Sequence, residues 1–304
     1  MKKLTWILPL LLLLSCKKDN DPRDLRLLRV ETTTYSGDII TTEYQYDNPG
    51  RIIGITSRKN NESPVTLVGV AYTGNEVWMV SSAEYDPSFT ETKEVRFTTD
   101  ASGKPQKRIE YRQRISKAPS TSREYRYDTA MYVYDAAGLL KNITRVRRDS
   151  MWIRQDLNIK RKFDWTINYT NSGGNLVTRD EYVTYPITRI ENGVTTLSGG
   201  SSEYHQVYGY AKGFPNKTDF NNSIVKDEYP VFVYDTPLNS NYKNMHDQVA
   251  IDNTDRDING TIIFNSRGTI YMDRAYDAKG FLATMTKPPG NTQDIKISYI
   301  YGKK

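Results

Sequence analysis

Beyond residue 24 the chain alternates apolar and polar residues with a period of two. Val95 and Phe97 stand against Glu94, Arg96 and Thr98. Ile109 and Tyr111 stand against Arg108, Glu110 and Arg112. Near the end, Ile295, Ile297, Tyr299 and Tyr301 fall on one side. Successive side chains of a strand point to opposite faces, so this is the pattern of half-buried strands. No segment of the body carries a long helical stripe. Turn signals separate the alternating runs: Thr73-Gly74-Asn75, Asp100 to Gly103, Asn171 to Gly174, Glu191-Asn192-Gly193, Asn259-Gly260 and Asn265 to Gly268. The pattern predicts an all-β fold, an antiparallel hairpin meander. Its edges must be dealt with, so it forms a closed or partly open barrel or a long twisted sheet. Longer connections are expected near 115–122, 198–202 and 211–223. The stretch Thr236 to Asp255 is the least strand-like and reads as a short helix or an ordered loop.

A membrane-embedded barrel needs an outward apolar band ~25 Å tall. Glu94, Arg96, Arg108, Arg112, Glu124 and Arg126 suit water instead, and the Gly302-Lys303-Lys304 end carries no closing aromatic residue. The body is therefore expected to be soluble rather than membrane-embedded.

The start of the chain breaks the pattern. Met1-Lys2-Lys3 is basic, and Leu4 to Leu14 is apolar apart from Thr5 and Pro9. This run is short of the ~20 residues of a spanning helix and fits the apolar core of a signal peptide. Leu13-Leu14-Ser15-Cys16 follows, and Cys16 is the single cysteine of the chain. These four residues resemble a bacterial lipobox. The resemblance implies cleavage before Cys16 and lipidation of its thiol. The expected organisation is a lipoprotein signal peptide at 1–15, a polar tether at 16–24 and one β-rich domain at 25–304.

Three turns share a fuller motif: Tyr46-Asp47-x-x-Gly50, Tyr134-Asp135-x-x-Gly138 and Tyr276-Asp277-x-x-Gly280, each followed within two residues by an apolar pair. The tyrosine ends a strand, the aspartate accepts hydrogen bonds from the turn amides, and the glycine takes a positive φ before the returning strand. These copies resemble the YD or Rhs repeats of bacterial surface proteins. With the lipobox, the chain resembles Bacteroidetes-type surface lipoproteins, including an uncharacterised family described as having a porin-like β fold. The resemblance implies an outer-membrane lipoprotein exposed at the cell surface and implies no activity.

Composition narrows the chemistry. Two His and one Cys exclude most His/Cys metal sites and any intrachain disulfide. Tyr outnumbers Phe 23 to 8, which suits half-buried sheet faces. Charge is uneven: Lys104 to Lys162 carries 16 Lys/Arg against 6 Asp/Glu. By the period of two, Arg108, Arg112 and Arg114 share one strand face, and Arg145 and Arg147 share another. If the faces adjoin they form a site for an anionic ligand such as an acidic surface glycan; the alternative is a solvated face guarding strand edges. Asp255, Asp257, Asn259 and Gly260 match the first half of a calcium loop, but Ser266 occupies the position that needs an acidic ligand, so a hairpin turn is the preferred reading. His205 and His246 are the only imidazoles. Ser201 or Ser202 beside His205 lacks a nucleophile-elbow motif. Asp180-Glu181 and Asp227-Glu228 are adjacent on strand-like segments and point to opposite faces, so neither is a catalytic pair.

The expected function is that of a non-catalytic cell-envelope lipoprotein, structural or ligand-binding, with a glycan as candidate ligand. The alternative is a surface hydrolase or accessory protein of glycan uptake. No cofactor is expected. The expected partners are the membrane, through Cys16, and an acidic glycan or a protein; nucleic acid is not expected.

Overall fold

The computed structural model describes residues 25–34, 36–81, 89–117, 122–210, 248–271, 273–276, 282–286 and 296–303. Nineteen strands follow in chain order: β1 Leu25–Thr33, β2 Ile39–Tyr46, β3 Ile52–Lys59, β4 Val65–Thr73, β5 Glu76–Ser81, β6 Phe89–Thr99, β7 Pro105–Ser116, β8 Arg123–Tyr134, β9 Leu140–Arg154 and β10 Leu157–Ser172. They continue as β11 Asn175–Thr184, β12 Ile187–Glu191, β13 Val194–Ser198, β14 Gly200–Gly209, β15 Gln248–Asp257, β16 Ile262–Tyr271, β17 Asp273–Tyr276, β18 Leu282–Thr286 and β19 Lys296–Lys303. All belong to one antiparallel sheet. Each strand from β1 to β10 pairs with the next, and β19 pairs with β1. Among the described residues no strand register joins β16 to β17, and the described sheet is not closed into a barrel. Among the described residues no helix is long and apolar enough to cross a membrane.

The hairpin turns follow from local chemistry. At Asp47, Asp100, Asp135 and Asp257 the same bonds recur. The glycine three residues on donates its N–H to the aspartate carbonyl at 2.9–3.0 Å. The aspartate Oδ1 accepts the N–H of residue i+4 at 2.7–3.0 Å. Gly50, Gly103, Gly138 and Gly260 all have φ between 76° and 91°, a backbone state that a Cβ disfavours. The expected turns at 47–50 and 135–138 are thus found; 277–280 lies outside the described residues.

The motif tyrosine has a second role. Tyr46 Oη donates to Leu27 O at 2.6 Å and Tyr134 Oη to Pro105 O at 2.8 Å. Tyr72 and Tyr210, which open no such motif, tie to Ile52 O and Leu176 O in the same way. Each hydroxyl reaches the carbonyl of a neighbouring strand, so rings that close the buried face leave no polar atom stranded.

Three sequence expectations are corrected. Asn265 to Gly268 is not a turn but lies inside β16, and Gln248 to Asp255 is strand rather than helix or loop. The expected connection at 198–202 is a bend between two strands. Pro186 lacks an N–H and interrupts β11–β12, while Gly199 interrupts β13–β14 beside it. Tyr185 N donates to Gly200 O at 2.9 Å and Lys162 N to Pro186 O at 3.1 Å, which carries the ladder across the break. The backbones come so close that a Cβ on Gly200 would sit 1.9 Å from Arg256 O. Glycine is required there by space.

The sheet wraps one core. Leu27, Ile52, Ile55, Val68, Met79, Val95 and Leu176 are fully buried, and the same face carries Val77, Phe97, Ala130, Ile143 and Ile167. Beyond this core the buried face of β7–β9 becomes charged.

Candidate ligand-binding surfaces

Register decides which side chains meet. Cross-strand partners share a face, so Val95 and Phe97 set the face of their partners Glu110 and Arg108. Arg108 and Glu110 therefore point inward, as do Arg112, Arg114, Glu124, Arg126, Asp128, Arg145, Arg147 and Asp149. This corrects the expectation that Arg108, Arg112, Glu124 and Arg126 face water. Ile109 and Tyr111 are among the outward residues of β7, and Tyr111 is 46% exposed.

The five arginines expected to form an anionic-ligand face do share one inner face, on β7 and β9 either side of β8, but carboxylates stand among them. Arg108 pairs with Glu110 and lies 3.7 Å from Asp128. Arg145 Nε donates to both Asp128 oxygens, at 3.0 and 2.8 Å. Arg147 pairs with Asp149 at 3.1 Å, and Arg126 reaches the same carboxylate at 3.1 Å. Arg112 and Arg114 reach Glu91 at 2.6 and 3.9 Å. Aromatic rings floor the array. Arg147 lies 4.0 Å from the Phe163 ring centroid, Arg145 lies 4.7 Å from that of Trp165, and the two rings stack. Burial pushes the Arg145 guanidinium down, but its bond to Asp128 outweighs this and holds its pKa above the ordinary value. Burial and the nearby Arg126 lower that of Arg147. These six guanidiniums stand among five carboxylates, with Lys93 and Arg161 on the same inner face, so the arginines form an internal, mostly paired array and not an open anion site.

The outer face of the same strands differs. Tyr111, Tyr127, Arg148 and Lys162 form one cross-strand row; Gln113, Tyr125, Ser150, Lys160 and Thr188 form the next. Between the rows lies an open groove of about 480 Å³. Lys162 pairs with Asp164 at 2.8 Å. Among the described residues neither the Arg148 nor the Lys160 side chain has a hydrogen-bond or ion-pair partner. The groove thus joins three tyrosine rings to two unneutralised cations. Sequence reasoning missed it because Arg148 and Lys160 sit among many cations, and only the register separates paired from unpaired.

A second groove of about 410 Å³ lies on the outer face of β10, β11 and β14–β16. One row crosses it: Asn168, Asp180, His205, Asp252 and Arg267. His205 Nδ1 bonds Asp180, and Arg267 Nε lies 2.7 Å from Asp252. Tyr182 and Glu203 occupy the adjoining row.

The remaining sequence candidates do not converge. Asp257 is the turn aspartate, its Oδ1 taken by the amides of Asn259 and Thr261 at 2.9 and 2.8 Å. Asp255 accepts the Ser202 hydroxyl. The calcium-loop residues thus form the preferred hairpin turn, and among the described residues no group of three His, Cys, Asp or Glu could hold a metal ion. Ser202 faces the opposite side of β14 from His205, so the two make no catalytic dyad. Glu181 pairs inward with Arg179 while Asp180 faces out, so this adjacent pair is split between faces as expected. Cys16, His246, Asp227 and Glu228 lie outside the described residues.

No protein-family model matches the chain, and no curated protein does. Among solved structures it is similar to a porin-like protein from Bacteroides vulgatus, at 14% identity over 91% of this chain and 98% of that one, with a TM-score of 0.49. It is also similar to a porin-like protein from Bacteroides uniformis, at 12% identity over 91% and 96%, with a TM-score of 0.45.

Proposed function

We propose that this chain is a non-catalytic cell-envelope lipoprotein, tethered to the outer membrane through Cys16, whose sheet binds an acidic saccharide in the groove of Tyr111, Tyr125 and Tyr127. The Leu13 to Cys16 sequence and the Tyr-Asp-x-x-Gly turns support kinship with YD-repeat surface lipoproteins of Bacteroidetes type. One observation carries the binding role: among the described residues Arg148 and Lys160 have no carboxylate partner beside the tyrosine rings, whereas Arg108, Arg145 and Arg147 on the inner face are matched to acids. A cation left unpaired beside an aromatic platform can take a carboxylate or sulfate, while the tyrosines stack on the apolar face of a sugar ring and bond its hydroxyls.

The test is binding of the purified detergent-solubilised protein to carboxylated and sulfated oligosaccharides at low and high salt. Binding is expected at low salt and should weaken with salt, because exposed charges are screened beyond about 8 Å at physiological ionic strength. Arg148→Glu with Lys160→Glu should abolish it; the charge-matched pair Lys107→Glu with Lys141→Glu should not. No binding at low salt, or equal loss in both variants, refutes the proposal.

A further inference from the structure

The two outer grooves meet on one strand. β10 contributes Lys160 and Lys162 to the first and Thr166 and Asn168 to the second. At ~3.3 Å per residue, Lys160 to Asn168 spans roughly 26 Å, about five pyranose rings. Their electrostatics are opposite. The first presents unpaired cations. In the second, Arg267 matches Asp252 and Arg256 lies 3.9 Å from Glu203, while Asp180 has no Lys or Arg partner among the described residues, so one carboxylate charge is left over. Tyr182, 46% exposed, stands at the second groove as an aromatic platform.

Resting on the function proposed above, we infer that the two grooves form one track for a partly acidic polysaccharide: a single acidic unit at Arg148 and Lys160, then neutral sugars over Tyr182. Asn168, Asp180 and His205 supply donors and acceptors suited to sugar hydroxyls. A second acidic unit would meet Asp180, and the like charge there repels it. The track therefore selects for charge at one end and against a uniformly charged polymer. The exposed tyrosines add affinity ring by ring, and a longer chain engages more of them.

The experiment is calorimetric titration of the full lipoprotein in detergent with oligosaccharides of two to six neutral hexoses ending in one glucuronate, beside oligoglucuronates of equal length. Affinity for the singly charged series should rise with length and level off near five units. Tyr182→Ala should lower affinity for the long ligand about tenfold and leave the shortest unchanged. Asn168→Ala should act in the same direction. Oligoglucuronates should bind no better than the shortest singly charged ligand. A flat length dependence, an equal Tyr182→Ala effect at every length, or tighter binding of oligoglucuronates would overturn the track while leaving the first groove's role standing. No binding of any glucuronate-bearing ligand, with anionic phospholipid vesicles bound instead, would remove the underlying proposal and the track together.

Discussion

Asp128 has no exposed surface, and its carboxylate is shared by Arg145 and Arg108. Asp128→Asn keeps the volume, removes the charge and turns one acceptor into an N–H donor aimed at a guanidinium. Removing one partner of a buried pair costs about 3–5 kcal/mol, because the other charge is left buried without compensation. Here two features place the loss at the lower end. Arg108 keeps Glu110, and Arg145 keeps its place over the Trp165 ring and is about a third exposed by side chain. The expected loss is about 3 kcal/mol, a large share of the 5–15 kcal/mol typical of a folded domain. With an m-value near ~3 kcal/mol per molar, the urea midpoint should fall by about 1 M. The control is Glu31→Gln. The Arg29–Glu31 pair has side chains 42% and 36% exposed, and such pairs contribute about 0–1 kcal/mol. Equilibrium unfolding followed by circular dichroism measures both. If Asp128→Asn shifts the midpoint no more than Glu31→Gln does, the buried array contributes nothing through charge and the reasoning fails.

Burial raises the Tyr72 and Tyr210 hydroxyls to about 12, and Tyr208 higher still. A folded pKa above the unfolded value near ~10 means stability that is complete below pH ~10 and is lost as pH rises toward 12. Absorbance at 295 nm should therefore show fewer than the 23 tyrosines ionising near pH 10, the remainder appearing together with loss of the β-sheet signal; full ionisation of an intact sheet near pH 10 would contradict this. For the tether, a palmitate analogue should label the wild-type protein in cells and not Cys16→Ala, and equal labelling of both would show that Cys16 is not the anchor.

The meander and its turns were legible because their determinants are local. Asp47 and Gly50, like Asp135 and Gly138, stand three residues apart, and no distant contact is needed to fix either turn. Gly268 misled because its neighbours imitate a turn while the pairing of Ile251 with Gly268 keeps β16 extended. Gln248 to Asp255 misled in the other direction. Only Val249 and Ile251 alternate before the run turns polar at Asp252 to Asp255, and strand formation there follows from pairing on both sides, with β14 and β16.

Which face of a strand turns inward is not a local property. In β7 the residues Ile109 and Tyr111 read as the buried set and Arg108 and Glu110 as the wet one. Alternation defines two faces and gives neither an absolute sense; the sense comes from the neighbour. Once Val95 and Phe97 are committed to the core, Glu110 and Arg108 beside them must follow, and the next strand inherits the choice. The charged side chains then had to find one another, and the six arginines and five carboxylates do.

That inheritance links the inner array to the outer groove. A slip of one residue between β8 and β9 would exchange every inward and outward side chain of the slipped strand. Asp128 would lose Arg145, Asp149 would lose Arg126, and Tyr127 would no longer lie opposite Arg148 on the outer face. An apolar inner face would tolerate such a slip more easily, because one aliphatic side chain substitutes for another. Ion pairs do not: a displaced Asp128 leaves Arg145 without its carboxylate and Arg108 with Glu110 alone, at about 3 kcal/mol. The buried charges thus penalise wrong registers more than they stabilise the right one. The right register is the one that sets Tyr111, Tyr127 and Arg148 in a row.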